Sequence, residues 1–529
     1  MTSIVGHTAV STDTAARTPT PAGQVVGIDF GASYSAVARL EPDGVPRLLP
    51  DAEGRELIDS VLSFGENGAV RVGRCIEATC EGGPVVTAVK RHLGERRYSL
   101  KHDGRRLSPE FLSALILRKL AQDAGRFGDL AGVILTVPSY FFAPGRHATL
   151  AAGRIADLPV VELLAEPIAA ALSHLWRTGC SPKNDRTLLV FDLGGGTFDV
   201  TIVRVSGGRL EVAATEGDNA LGGIDWTTRL VDFAGEKFRR RHRTDPRSDT
   251  KCLQRLTADC EQAKCVLATK PRTVVEVNHA GVTMPLGISR EEFDQITADL
   301  LRRARDATEF LFESSGIDPD DLDEVLLVGG GTKVPAVAAM MTELCGRPVA
   351  IPPDPQRAVA EGAAVYAAAV GLRDGLIAPS DDLRRRLETI SLRDVNAHSL
   401  GIALDDPRGK AHSRNHILIP RNTALPAIVK RRFVTSLANP EGIALRLVEG
   451  EAPEVAGCTV IGDWQITGLP SDLPAGAPVQ VTFRCDGQRR VTLEAKELTG
   501  PTVAHVERVS LDGPAMENDR HLLAQFRLV

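Results

Sequence analysis

Two stretches of the chain, VVGIDFGASYSAVARL at 25–40 and LLVFDLGGGTFDVTIV at 188–203, share one pattern. In each, an apolar strand ends in an aspartate, a tight turn of small residues follows, and a second strand is apolar at alternate positions. The pattern predicts two β-hairpins in which Asp29 corresponds to Asp192. Small residues let backbone N–H groups converge on an anion, and an aspartate at a strand end suits a hydrated divalent cation. Either hairpin alone could be an ordinary glycine-rich turn, but two that face each other would hold a polyphosphate from both sides.

The overall composition limits the classes of protein to which the chain can belong. At 529 residues it is too long for one hydrophobic core and predicts about two to four domains. The net charge of −6, with acidic and basic residues interspersed, gives no electrostatic reason to expect nucleic acid or an anionic membrane as a partner. The sequence has no apolar run near the roughly 20 residues of a membrane span and no signal-peptide pattern at its start. We therefore expect a cytoplasmic protein.

The cysteines agree with that location. They number nine, an odd count, and they include no CxxC pair. Free thiols in a reducing compartment are therefore expected, rather than a metal site or a framework of disulfides.

Composition and periodicity divide the chain into five segments. Residues 1–23 are rich in Thr, Ser, Ala and Pro without periodicity, which predicts a disordered leader. Strands and amphipathic helices alternate over 24–372, as in α/β proteins. The charged segment 373–393 contains a proline and predicts a linker with a short helix. Short alternating runs between Gly, Pro and Asp turns predict an all-β sandwich over 394–510, and 511–529 form a short tail.

The two hairpins, in this order, resemble the phosphate loops of the superfamily that includes actin, hexokinase and the heat-shock chaperone ATPases. The words GIDFG and FDLGGGTFDV resemble most the 70-kDa heat-shock chaperone (DnaK) family. VLLVGGGTKVPAV at 325–337 is similar to the adenosine motif, and the small-residue segments 163–174 and 358–369 are similar to the two connecting helices. The resemblance covers about nine-tenths of the chain. It implies an α/β, actin-like ATPase domain of two lobes with a repeated ribonuclease-H-like fold, joined to a β-sandwich domain.

The same resemblance implies a role for individual residues, with ATP or ADP and Mg²⁺ as cofactors. The residues implied in catalysis are Lys90, Glu166, Asp192 and Thr197, and those implied in holding Mg²⁺ through its waters are Asp29, Asp192 and Asp199. The residues implied in nucleotide binding are Gly31, Ala32, Ser33, Gly194, Gly195, Gly196, Gly222, Gly223, Glu261, Lys264, Ala268, Gly329, Gly330, Gly331 and Lys333. Taken without the family, Lys90 would be an exposed lysine, and Glu261 with Lys264 would be the exposed face of a helix.

Several positions depart from the family pattern. Ala32 stands where the family usually has a threonine, and Ala268 replaces a serine that touches adenine. Lys333 replaces an arginine whose plane stacks on the base, which an ammonium group cannot do. These changes predict weaker nucleotide binding. Glu162 is acidic where the bacterial chaperone is basic and docks a J-domain, so a J-domain co-chaperone is a doubtful partner.

The β-rich segment resembles the peptide-binding sandwich of the family. Its matching pocket positions are Ile402, Phe433, Ile443 and Leu445, whose alternative role is ordinary sandwich core. In the family an extended peptide threads between loops and anchors a leucine-like side chain in this pocket. The chain ends before the family's long helical lid, so a lidless member with fast peptide exchange is expected.

Three classes of function fit these observations. The first is an ATP-dependent chaperone that hydrolyses ATP slowly and couples the cycle to a polypeptide client. The second keeps the fold but uses ATP as a switch for one dedicated protein partner, with little or no turnover. The third, a sugar kinase or filament-forming actin relative, is disfavoured by the β-sandwich.

The tail RHLLAQFRLV at 520–529 has an apolar core beside basic residues, as the clients of the resembled chaperones do. It could therefore occupy the peptide site as a built-in competitor. The alternative is a short helix whose Leu522, Leu523 and Phe526 pack on the outside of the sandwich.

Overall fold

The computed structural model describes residues 23–65, 68–73, 83–95, 97–179, 185–207, 209–405, 413–435, 442–470, 473–498, 503–509, 515–523 and 525–528. The leader predicted at 1–23 lies almost wholly outside these residues.

Strands and helices alternate through the first two thirds of the chain, as the sequence predicts. The strands up to the end of this α/β part, called the body below, are β1 (Gln24–Phe30), β2 (Tyr34–Leu40), β3 (Pro46–Leu48), β4 (Ile58–Asp59), β5 (Leu62–Phe64), β6 (Ala69–Val72), β7 (Val85–Val86), β8 (Leu100–His102), β9 (Arg105–Leu107), β10 (Leu130–Val137), β11 (Val160–Ala165), β12 (Arg186–Leu193), β13 (Phe198–Ser206), β14 (Arg209–Asp218), β15 (Arg272–His279), β16 (Val282–Ser289) and β17 (Glu324–Val328). Its helices are α1 (Pro109–Gly125), α2 (Ala143–Ile155), α3 (Glu166–Thr178), α4 (Gly223–His242), α5 (Thr250–Thr269), α6 (Arg290–Ile296), α7 (Ala298–Ser315), α8 (Pro335–Cys345) and α9 (Ala358–Arg373).

The remaining elements are mostly strands. They are α10 (Asp381–Glu388), β18 (Ser391–Arg393), β19 (Val395–Asn396), β20 (Leu400–Asp405), β21 (Ser413–Ile419), β22 (Thr423–Ala424), β23 (Ala427–Val434), β24 (Ile443–Glu449), β25 (Thr459–Thr467), β26 (Pro478–Cys485), β27 (Val491–Glu497), β28 (Val503–Val509), α11 (Ala515–Leu523) and β29 (Arg527–Leu528). The segment from β20 to β28 is called the β region.

The body contains two main sheets of related architecture. In the first, the order is β11-β10-β1-β2-β3, and in the second it is β17-β12-β13-β14-β18. Each predicted hairpin is present: β1 is antiparallel to β2, and β12 is antiparallel to β13. On its other side each first strand pairs in parallel, β1 with β10 and β12 with β17. Each half of the body thus contains the same unit, an antiparallel hairpin whose first strand also pairs in parallel with another strand.

Helices α3 and α9 cross where the composition predicts close contact. A Cβ atom on Gly362 of α9 would lie 1.7 Å from the carbonyl oxygen of Ala169 in α3. On the neighbouring strand β1, a Cβ on Gly27 would lie 2.3 Å from the backbone of Ala363. Only glycine allows backbones to approach this closely. The small residues of both helices therefore set the distance between the two sheets.

The β region forms one eight-stranded antiparallel sheet in the order β21-β20-β24-β25-β28-β27-β26-β23. Its apolar side chains bury a core of their own, including Leu447, Trp464 and Phe483. The segment predicted as a linker contains the expected short helix, α10. It also contains β18, which pairs with β14 and so becomes the edge of the second sheet. The domain bounds drawn from composition remain predictions.

The tail lies at neither of the positions expected from the sequence. Leu523 and Phe526 are buried in the body, in the core that surrounds β1, β5 and α1. The ring of Phe526 meets those of Phe111 at 5.4 Å and Phe64 at 6.1 Å, both edge to face. Beyond it, β29 pairs in parallel with β6. The expectation of a tail in the peptide site or on the outside of the sandwich was wrong, because the body offers both an apolar pocket and an unpaired strand edge.

Truncating Phe526 should therefore destabilise the body and not the β region. We expect Phe526→Ala to lower the free energy of unfolding by about 3 kcal/mol, because a buried aromatic ring leaves a cavity when removed. Phe127→Ala is the matched control, since that ring is 41% exposed. Denaturant unfolding, monitored by amide hydrogen exchange in the body and in the β region separately, would measure the change in the free energy of unfolding of each. Equal stability of the two variants would contradict the packing.

Candidate nucleotide site

Four carboxylates surround one lysine between the two hairpins. Asp29 is the penultimate residue of β1, and Asp192 lies opposite Asp199 in the register of β12 and β13. Glu166 is the first residue of α3, and its carboxylate forms a buried ion pair with Lys90 of the 3₁₀ turn Val89–His92. The Lys90 side chain is 2% exposed. The structure therefore brings together the residues that the sequence predicts for metal and phosphate.

The electrostatics of this cluster show excess negative charge. Burial, followed by the charge of Glu166, raises the pKa of Asp29 to about 7, although Lys90 and a hydrogen bond from Thr136 oppose the shift. The same two causes raise the pKa of Asp199 to about 7 and raise that of Asp192 well above its usual value. One lysine does not compensate four carboxylates. A bound cation would remove the imbalance.

The two hairpin turns pack against each other without room for side chains. A Cβ on Gly195 would lie 2.2 Å from the hydroxyl of Ser33, and one on Gly196 would lie 2.5 Å from the Cβ of Ala32. Within the first turn, a Cβ on Gly31 would lie 2.1 Å from a backbone oxygen. In the second turn the amide of Gly194 donates to the carbonyl of Thr197. The turns thus present backbone rather than side chains, which fits the binding of an anion.

Helices α4 and α5, which carry further predicted residues, lie beside the second hairpin turn. The N-terminus of α4 lies on the second turn, where a Cβ on Gly222 would be 2.6 Å from the Gly196 nitrogen. Lys264 of α5 donates to the carbonyl of Gly223 at 2.9 Å and to Glu261 at 2.7 Å. The pair predicted on α5 is therefore bonded to α4 rather than lying on a free helix face.

The predicted adenosine turn lies behind Asp192. Gly329 has φ +84°, and a Cβ there would lie 2.7 Å from the Asp192 carboxylate. The 3₁₀ turn Gly330–Lys333 follows, and a Cβ on Gly331 would meet the side chain of Leu193. The Lys333 ammonium donates to Gln356, and its side chain is about half exposed. Ala268 lies half-buried on α5.

Several contributors to the site escaped sequence reasoning. The amides of Ser139 and Tyr140 donate to the two carboxylate oxygens of Asp199, each at 3.0 Å. Arg91 donates to the carbonyl of Gly196 at 2.7 Å and pairs with Asp225. The only sequence signal for Arg91 is its place beside Lys90, and a backbone amide leaves no signal in side-chain identity.

The residues present fit a hydrated divalent cation and a polyphosphate. In the described part of the chain, three or more His, Cys, Asp or Glu side chains nowhere lie close enough to ligate one ion directly. The family resemblance implies a different arrangement, in which the aspartates hold Mg²⁺ through its waters. The excess negative charge fits the cation, and the side-chain-free turns fit phosphate oxygens.

The four residues predicted for a peptide pocket fall into two groups. Ile402 and Leu445 are buried in the core of the β region. Phe433 and Ile443 are half-buried at its margin, where the ring of Phe433 lies 6.4 Å from that of Phe483. The segments 406–412 and 436–441, which adjoin this margin in sequence, are outside the described residues. The first pair thus has the packing of core residues, and the second pair is accessible.

Comparisons with known proteins agree with this architecture. A family model described as Hsp70 protein matches residues 25–519. The chaperone protein DnaK of Thermotoga neapolitana is 35% identical over 487 residues, which cover 90% of this chain and 78% of that relative. The DnaK of Halobacterium salinarum is 34% identical over 510 residues, covering 94% of this chain and 76% of the relative. The chain belongs to the Hsp70 family. Among the helices described, none is long and apolar enough to span a membrane.

The charge imbalance leads to a pH-dependent prediction for the nucleotide-free protein in a chelator. An unfolded aspartate loses its proton near pH 4, whereas folded Asp29 keeps it until about pH 7. Stability is therefore lost as the pH rises through this window. Because asparagine does not ionise, Asp29→Asn should be more stable than the native protein at pH 8, by about 2 kcal/mol, and the gain should shrink toward pH 5.

Thermal unfolding at several pH values would measure this. Asp306→Asn, which changes an exposed aspartate, serves as the control and should show no such trend. A gain that does not vary with pH would contradict the assigned cause.

Proposed function

We propose that this protein is an ATP-dependent chaperone of the Hsp70 type, with an actin-like two-lobed ATPase domain and a peptide-binding β-sandwich. The observation that carries the proposal is the Lys90–Glu166 ion pair, set among three aspartates between two facing glycine turns. Relatives named as DnaK chaperones, similar over nine-tenths of the chain, support the same reading. They favour it over a nucleotide switch for one dedicated partner.

Nucleotide binding is assigned to the backbone of the turns. The amides around Gly31–Ser33 and Gly194–Gly196 would contact the phosphates, with Gly222 and Gly223 framing them. Glu261, Lys264 and Ala268 would lie toward the ribose and base, opposite the turn that ends at Lys333. Bound Mg²⁺ would neutralise phosphate charge, held through water by Asp29, Asp192 and Asp199.

Hydrolysis is assigned to the side chains of the cluster. Lys90 would place positive charge where negative charge develops on the transferring phosphoryl group. Glu166 keeps the lysine ammonium in position through their ion pair, and it would order the attacking water with Thr197 and Asp192. Lys90 is buried and paired with Glu166, so its ammonium group is held within the cluster.

Client binding is assigned to the margin of the β region. Phe433 and Ile443 expose part of their apolar surface there, and Ile402 with Leu445 would form the floor of the pocket. An extended polypeptide with a leucine-like side chain is the proposed ligand. A J-domain partner remains doubtful, because Glu162 is bonded to Tyr366 and Arg373. The cytoplasmic location also remains a prediction.

The ATPase assignment is tested by removing the lysine. Lys90→Ala should lower the single-turnover rate of Mg·ATP hydrolysis by about two to three orders of magnitude, while ATP still binds. Lys101→Ala, at an exposed position, should behave as the native protein. If the native protein binds ATP but releases no phosphate above a blank, the switch function replaces the chaperone ATPase.

The client site is tested by a charge in the pocket. Ile443→Asp should weaken binding of a fluorescent leucine-centred peptide by at least about tenfold, since burying an unpaired carboxylate is costly. Ile428→Asp is the matched control, because that side chain is 56% exposed in β23. Anisotropy titrations that give equal affinities for both variants would exclude this pocket.

A further inference from the structure

The sheet of the β region ends at β23, an edge strand with three consecutive basic residues. In the described part of the chain β23 pairs with β26 alone and is the last strand of its sheet. Lys430, Arg431 and Arg432 are exposed along it, and so are Ile428 at 56% and Val434 at 63%. An edge strand presents unpaired backbone donors and acceptors to solvent. It is therefore a place where an extended chain can add a further strand.

Alternate residues of β23 form one row on the outer face of the sheet. The order along this row is apolar, basic, basic, apolar, from Ile428, Lys430, Arg432 and Val434. The intervening Val429 packs against the core of the β region. The row therefore has the same order of properties in both directions along the strand.

The positive charge of this face continues onto the two neighbouring strands. The register with β23 places Arg484 of β26 and Lys496 of β27 on the same face. Glu494 is the acidic side chain of this face on the three strands, and it pairs with Arg484 at 3.2 Å. In the described part of the chain, Lys430, Arg432 and Lys496 form no ion pair. Positive charge is thus uncompensated on one face of a protein whose net charge is −6.

Protection of the sheet edge against aggregation explains only part of this arrangement. A lysine or arginine on an edge strand opposes pairing with another chain by its charge. That role requires neither the exposed aliphatic side chains of Ile428 and Val434 nor a basic residue two strands away, at Lys496. The face has instead the composition of a binding surface for a ligand that is both acidic and apolar.

An extended acidic polypeptide fits this face better than a membrane or a nucleic acid does. Lys430 and Arg432 are two residues apart in a strand, so their Cα atoms are about 6.8 Å apart. Alternate residues of an added strand have the same spacing, which would place two carboxylates beside the two basic groups. The free edge also has backbone carbonyls that need hydrogen-bond donors, and phosphodiester groups have none.

We propose that β23 is a docking site for an acidic, extended segment of a partner protein, which adds as a strand to the free edge of the sheet. Acidic residues of the segment pair with Lys430 and Arg432, and apolar residues two positions further out cover Ile428 and Val434. Because the row is symmetric, the pattern apolar-x-acidic-x-acidic-x-apolar fits in either direction. Phe433 of the proposed client pocket packs on the opposite, core side of the strand, so the two sites are separate. The docking site does not depend on ATP hydrolysis.

The experiment uses the full chain and a fluorescent peptide in which valine, glutamate, glutamate and valine alternate with threonine. The native protein should bind it in anisotropy titrations, and a matched peptide with lysine in place of glutamate should bind at least about tenfold more weakly. Lys430→Glu/Arg432→Glu should also lose at least about tenfold in affinity for the acidic peptide, because like charges then lie beside each other. The control Lys101→Glu/Arg106→Glu makes the same change of charge at two exposed, paired residues of β8 and β9 and should bind as the native protein does.

Hydrogen exchange tests whether the peptide adds as a strand. Binding should slow amide exchange in the fragment that contains β23 at least about fivefold, since edge amides then donate to the peptide. Equal binding of the two peptides, an unchanged affinity of Lys430→Glu/Arg432→Glu, or binding without protection of β23 would overturn the proposal. Loss of binding in Ile443→Asp would also overturn it, because the acidic peptide would then occupy the client pocket. If the native protein binds anionic phospholipid vesicles and not the peptide, the face is a lipid site and the proposal is wrong.

Discussion

The close approach of two hairpin turns is the constraint on which the rest of the body depends. Ala32 and Ser33 face Gly195 and Gly196 at distances that leave no room for larger side chains. Behind these turns α9 and α3 also approach closely, and only a glycine at 362 leaves room for the backbone carbonyl of Ala169. The same approach brings Asp29 and Asp192 into one electrostatic environment. Small residues in the hairpin turns and at the crossing of α3 and α9 thus allow the two halves of the body to approach, and the charged cluster lies between them.

Sequence reasoning succeeded where the signal is local. The hairpins, their aspartates and the small-residue helices follow from patterns within about a dozen residues, because strand alternation and glycine turns are encoded by neighbours. The family resemblance added Lys90, whose burial no periodicity indicates. Sequence reasoning failed for the tail, because Phe526 packs on Phe64 and Phe111, which are remote in sequence. It also missed Ser139 and Tyr140, which act through backbone amides.

The two parts of the molecule are joined by polar groups that are withdrawn from water. Three such contacts join the β region to the body. The Arg489 guanidinium donates to the Ser139 carbonyl, Arg421 pairs with Glu216, and the Ala143 amide donates to the Glu449 carboxylate. Burial raises the pKa of Glu449 to about 7. Such contacts are costly to leave unpaired, so the junction should separate as a unit or not at all.

The path of the tail also bears on how the chain matures during synthesis. Residues 527–528 supply a strand to a sheet whose other members, β5, β6 and β7, emerge from the ribosome first. Until Phe526 and β29 have been synthesised, the apolar pocket around Phe64 lacks the Phe526 ring and β6 lacks its parallel partner. The N-terminal half of the body is therefore completed only when translation of the segment that follows the β region is finished. A chain that stops before Phe526 would leave the edge of β6 exposed and the core around Phe64 incomplete, and an exposed strand edge is a site of aggregation.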